Sequence, residues 1–195
     1  MTCVIGYLDK KNNTAYLGGD SLGSNGYSKI LCNQRKVFHS KDTKNLIIGL
    51  SGSFNFQALE YEKLLDETAL PKNEITKEYL ITKFVPNLKT IVNKYNANST
   101  KDNLNSMKGS LLFGYKDKLF NIQCDYSLLE STNGFDAIGS GAEVAMGSLL
   151  TSCDMDISII NKITKALEAA EKHAVGVQRP FYIINTSTDD VVVID

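Results

Sequence analysis

The sequence lacks an excess of either charge. Its 195 residues carry 21 Lys and Arg against 22 Asp and Glu, a net charge of -1 and a pI near 6.1. Such a balance does not build a surface that coats nucleic-acid phosphates. No apolar run approaches the ~20 residues that span a bilayer. The short apolar run after Met1 meets Asp9, Lys10 and Lys11 at once, so no signal peptide is expected. A cytoplasmic protein that binds neither nucleic acid nor membrane is the expectation. The two histidines, His39 and His173, are far apart, and Cys3, Cys32, Cys124 and Cys153 form no CxxC pair. Metal-ligand spacing is missing, so neither a metal nor a cofactor is expected. The cysteines are expected to be reduced and mostly buried. Repeats, low-complexity tracts and dividing linkers are absent too, and residues 1–195 read as one domain.

What is there is an ordinary globular composition, 43% hydrophobic and 22% charged. Residues 3–8 and the stretch from Ala15 to Leu17 predict a hairpin closed by the polar turn of Asp9 to Asn13. A loop from Ser21 to Ser28 follows, then short strands at 29–32, 35–39 and 45–50. Ser53 is placed to cap a helix carrying Phe54, Ala58, Leu59 and Leu65. Pro71 interrupts. A second helix is expected over 76–95, with a kink or break at Pro86. Residues 96–107 are polar and read as a loop. Strands are expected at 110–115, 118–124 and 135–138. Gly139-Ser140-Gly141 opens a helix bearing Val144 and Leu149, another covers 156–174, and strands at 181–184 and 191–194 close the chain. Strands, two helices, strands, two helices, strands suit two sheets packed face to face with helix pairs outside. Sheets buried on both faces would explain the unbroken apolar runs Leu46-Ile47-Ile48 and Val191-Val192-Val193-Ile194.

Four segments carry candidate chemistry. Loss of Met1 would leave Thr2 with a free amine, whose ordinary pKa of about 7.7–8.0 lets it act as a base near neutral pH. One residue then supplies hydroxyl and base together. A terminal threonine alone says little, since every chain has a terminus. Asp20 ends the hairpin beside Thr2. Lys36, if it points inward, needs a counter-charge, for which Asp20 is the natural partner, and a cation near the Thr2 hydroxyl would lower its pKa. Gly52 lies where a buried strand meets a helix N-terminus and can offer an N–H to a developing oxyanion. Ser140 could orient the Thr2 amine or simply cap its helix.

In this order and spacing the segments resemble the β-type subunits of the proteasome, and particularly HslV, the peptidase of the bacterial two-component ATP-dependent protease. Thr2-Cys3-Val4-Ile5-Gly6 matches the mature terminus, Gly19-Asp20-Ser21 the Gly-Asp motif, and Lys36-Val37 the lysine, sixteen positions after Asp20 as in the family. Ile48-Gly49-Leu50-Ser51-Gly52 and Ala137-Ile138-Gly139-Ser140-Gly141 match the oxyanion strand and the Gly-Ser-Gly motif. The resemblance implies an α+β fold, a four-layer αββα sandwich of the N-terminal nucleophile hydrolase type. It implies Thr2 as nucleophile and base, Lys36 and Asp20 as its activating pair, Gly52 as oxyanion donor and Ser140 as support for the amine. Ser24 falls where the family pairs with an extended substrate, and Leu50 at the floor of the pocket for the residue before the cut, which would then favour an apolar side chain.

Where the family often has an Asp near the end of the last helix, this chain has His173, an uncharged acceptor or a surface residue at a helix C-terminus. The resemblance further implies a polypeptide substrate, a homo-oligomeric ring and an ATP-driven unfoldase feeding it. Three alternatives stand beside this reading: a small-amide hydrolase of the same superfamily, an inert structural subunit, and a Cys3 thiol nucleophile that would need two residues removed.

Overall fold

The structure is a computed structural model. It describes residues 2–24, 27–31, 35–66, 68, 70, 74–101 and 104–195, and gives the backbone alone for Leu31, Thr100, Lys101, Leu104 and Asn105. Met1, Cys32 and Pro71 lie outside the described residues.

Two five-stranded antiparallel sheets form the centre. The first runs β12 (Phe135–Ile138), β1 (Val4–Asp9), β2 (Thr14–Gly19), β13 (Phe181–Asn185), β14 (Val192–Ile194). The second runs β11 (Leu128–Leu129), β10 (Lys118–Ile122), β9 (Gly109–Tyr115), β6 (Leu46–Gly52), β5 (Val37–His39). Helices α3 (Ala142–Ser152) and α4 (Ile159–His173) cover the first sheet. The second is covered by a 3-10 helix (Phe54–Tyr61) and by α1 (Lys77–Tyr79), a π-helical turn (Leu80–Phe84) and α2 (Val85–Lys94). This is the four-layer αββα sandwich of the N-terminal nucleophile hydrolases.

Alternation along each strand divides the apolar residues among three cores. In β1, Ile5 faces α3 and α4 while Val4 faces the other sheet. In β6, Leu46 and Ile48 face the outer helices and Ile47 the inter-sheet core, which accounts for the unbroken run. Val192–Ile194 does not follow this logic. Its strand lies at the sheet edge, paired with β13 alone, and Val193 is 47% exposed.

Four further expectations are corrected. The loop after Asp20 contains a short strand, β3 (Leu22–Ser24), paired with β4 (Lys29–Leu31). The stretch read as a loop over 96–107 carries strands at 98–101 and 104–107. They form a two-stranded ribbon of β7 (Asn98–Lys101) and β8 (Leu104–Met107), with Met107 buried at its base. Ser53 caps its helix, accepting from the Asn55 N–H at 3.2 Å, but that helix is 3-10 and ends at Tyr61. Pro86 does not break its segment, which stays helical from Lys77 to Lys94. The π turn just before it, in which the Val85 N–H reaches back to the Leu80 carbonyl, widens the helix where the proline ring would crowd the preceding turn.

Candidate active site

The site forms where the ends of the two sheets meet. Thr2 precedes β1 and is buried. Asp20 follows β2 in the first sheet, and Lys36 precedes β5 in the second. The Lys36 ammonium donates to both Asp20 oxygens at 2.8 Å, so one ion pair bridges the sheets. Asp20 also accepts from the Cys3 N–H at 2.8 Å and the Leu22 N–H at 3.1 Å. Two oxygens thus receive four donor contacts, which is the geometry of an ionised carboxylate. Asp20 is 0% exposed and the Lys36 side chain 10%. Burial pushes the Asp20 carboxyl above its ordinary value, while Lys36 and the two N–H donors pull the other way.

The main-chain nitrogen of Thr2 donates to Ser140 Oγ at 3.1 Å. The Thr2 carbonyl accepts from the Gly141 N–H at 3.1 Å and from the Ser140 hydroxyl at 3.4 Å. Gly139 holds this wrap with a φ of 94°, and a Cβ there would overlap the Thr2 carbonyl. Ser140 does not cap α3, because the N-cap is Gly141 and no side chain bonds to it.

Gly52 ends β6 with a φ of 109°, and a Cβ on it would strike the Lys108 carbonyl. Thr2, Ser24, Lys36, Leu50 and Gly52 line one small cleft. A larger one, about 860 Å³, opens at the far end of β1 between the β1–β2 turn and the α3–α4 connection, and none of the sequence-derived candidates lines it.

His173 is not in the Thr2 cleft. It is the last residue of α4, exposed, and faces the groove with Val144, Ser148 and Thr151 of α3. A cation-capable ring at a helix C-terminus is favourably placed without a catalytic task. Cys3 is wholly buried and its thiol is pushed up to about 12, first by burial and then by Asp20. Such a thiol is protonated near neutral pH while Thr2 covers it. Of the other described cysteines Cys124 is exposed and Cys153 intermediate, so burial is not the general rule expected.

The cleft also holds residues that sequence reasoning passed over: Leu22, Arg35, Ser53, Phe54 and Gln57. One signal was available. Phe54 and Gln57 are three apart on a 3-10 helix, where such positions eclipse and share a face. For Arg35 the sequence offers only its place beside Lys36.

No protein-family model matches the chain, and no curated protein sequence does. Solved structures do match over nearly the whole length. BPH from Thiobacillus denitrificans superposes with a TM-score of 0.72 at 17% identity, covering 100% of this chain and 99% of that one. The same protein in complex with epoxomicin gives 0.71 at 16%, with both chains covered 100%. HslV from Trypanosoma brucei gives 0.65 at 17%, covering 94% and 98%, and Anbu, an ancestral β-subunit from Yersinia bercovieri, 0.67 at 16%, covering 100% and 86%. The chain therefore has the fold of the proteasome β-type and HslV-like proteins.

Proposed function

We propose that this chain is a threonine-type peptidase subunit that cleaves polypeptides through an acyl-enzyme on Thr2. The observation that carries the reading is the convergence on one cleft of Thr2, its Ser140-bonded nitrogen and the Lys36–Asp20 pair. Removal of Met1 converts the Thr2 nitrogen into an amine. That amine takes the hydroxyl proton as Oγ1 attacks the substrate carbonyl, and Lys36 favours the developing alkoxide by its charge. The Gly52 N–H donates to the oxyanion, a contribution of about 2.7–4 kcal/mol for one such donor. The tetrahedral intermediate collapses with proton transfer to the leaving amine, and water then hydrolyses the ester. Ser140 orients the amine. Ser24, at the end of β3, supports an extended substrate beside the cleft.

The fold shared with the HslV and proteasome-like neighbours supports copies of this chain closing into a ring, and by resemblance to that family we place an ATP-driven unfoldase on the ring and the assembly in the cytoplasm. Thr2→Ala should abolish hydrolysis of a short fluorogenic peptide while leaving assembly intact by native mass spectrometry. Wild-type turnover in that variant would sink the mechanism. Intact mass of the purified chain reads Met1 removal directly, and a retained Met1 would leave no amine to act.

A further inference from the structure

The cleft beside Thr2 has an unbalanced charge. Leu22, Leu50 and Phe54 give it apolar walls, and Gln57 adds an amide. Its cations are Lys36 and Arg35, and among the described residues no Asp or Glu lines it. Lys36 is already paired with Asp20 beneath it. Arg35 is exposed and forms no carboxylate ion pair among the described residues. Its guanidinium lies over the Tyr182 ring, 5.1 Å from the centroid. Tyr182 pairs with Gly19, the residue before Asp20, so the ring holds Arg35 at the catalytic end of the sheet. On its far side Arg35 borders a second cleft containing Glu60 and Asp189. Glu60 is there paired with Lys41 at 3.2 Å, and Asp189 makes no ion pair among the described residues.

We propose that Arg35 sets the charge preference of the cleft, admitting acidic side chains and rejecting basic ones at the residue before the cut. This rests on the peptidase reading. A glutamate places its methylenes against Leu22 and Leu50 and its carboxylate toward the guanidinium, a planar fork suited to bidentate bonding. A lysine or arginine brings a like charge to a site with no acid to receive it. Apolar side chains remain acceptable, because the walls are apolar. Tyr182 acts as a positioning residue through its ring face.

The test is a panel of fluorogenic peptides identical except for Leu, Glu or Lys before the scissile bond, with kcat/KM for Glu over Lys read within each variant so that differences in overall rate cancel. The wild type should favour Glu about tenfold or more, a ratio that corresponds to about 1.4 kcal/mol. The ratio should shrink as salt rises, since an exposed charge is screened. Arg35→Gln should bring it near one, and Arg35→Glu should invert it. Tyr182→Ala should lower it, while Tyr182→Phe, which keeps the ring, should preserve it. Equal cleavage after Glu and Lys by the wild type overturns this inference and leaves the peptidase reading standing. A salt-independent ratio unchanged in Arg35→Gln also overturns it. Cleavage of no member of the panel overturns both.

Discussion

The main-chain nitrogen of Thr2 and Oγ of Ser140, 138 positions apart in the chain, meet at 3.1 Å. The bond links the start of β1 to the turn between β12 and α3, and those strands are neighbours in the first sheet. The register places Val4 opposite Ile138, which brings the residues just beyond each strand together. Orientation of Thr2 is thus a consequence of strand pairing.

Ser140→Ala removes the acceptor for the Thr2 nitrogen. A hydrogen bond of this kind is worth about 0.5–1.5 kcal/mol net, so kcat/KM should fall between about two- and tenfold. The melting temperature should hardly move, and Ser140→Thr should restore most of the rate. Steady-state kinetics beside calorimetry check this. An unchanged rate in Ser140→Ala would remove its supporting role.

Lys36→Ala leaves the Asp20 carboxyl buried without its cation. Breaking a buried pair costs about 3–5 kcal/mol, which for a chain of this length lowers Tm by about 10 °C. The pH dependence has a definite sign. Burial already raises the Asp20 carboxyl above its ordinary value, and losing Lys36 raises it further. A carboxyl raised on folding binds its proton more tightly in the native state. Its penalty is therefore absent at acid pH and grows as pH rises through the carboxyl range. The Tm gap between wild type and Lys36→Ala should be widest at neutral pH and narrow as pH falls toward 4. Lys36→Met combined with Asp20→Asn should recover stability without recovering activity.

Gly139→Ala and Gly52→Ala both place a side chain where φ is positive and a backbone carbonyl stands in the way. Each should destabilise by more than the ~1 kcal/mol of a Gly→Ala change with an incompatible φ alone. They differ in what they disturb. The Gly139 Cβ meets the Thr2 carbonyl and should displace Thr2, the proposed nucleophile, while the Gly52 Cβ meets the Lys108 carbonyl and should distort the end of β6, where the oxyanion donor is proposed. Denaturant unfolding with peptide hydrolysis on the folded fraction measures both effects.

Native alkylation at pH 7 to 8 should modify Cys124, which is exposed, and spare Cys3, which reacts only after unfolding. The Cys3 thiol rises from 9.0 to about 12 on folding. Its contribution to stability is intact below about pH 9 and is lost as pH rises toward 12, because there the unfolded chain ionises first. Mass spectrometry of the labelled protein reads the site of reaction. Labelling of Cys3 at the rate of Cys124 in the native state would contradict its burial.

Much of the fold was legible because periodicity is a local property. The hairpin of β1 and β2, the strands around Lys116-Asp117 and the amphipathic α4 follow from residue patterns that need no distant partner. The errors lie where a neighbour decides. The strands Asn98–Lys101 and Leu104–Met107 have little apolar alternation, and they pair with each other while Met107 at the base joins the core. Val192–Ile194 looks like a central strand because its residues are apolar, yet it has one neighbour, and edge position is invisible in composition. The π turn before Pro86 is a backbone adjustment that side-chain pattern does not encode.

Within the candidate site the sequence by itself determined which groups are available: a threonine behind the initiator Met, an Asp and a Lys sixteen positions apart, and glycines that end a strand and open a helix. Tertiary structure decided which of them meet. Packing the sheets face to face set Lys36 on Asp20, strand register set Ser140 on Thr2, and helix length carried His173 away to the end of α4. It also brought Arg35, Phe54 and Gln57 to the same cleft. Residue type fixes which groups can ionise, whereas their burial and the proximity of distant segments depend on sheet order, which a single linear sequence states only indirectly.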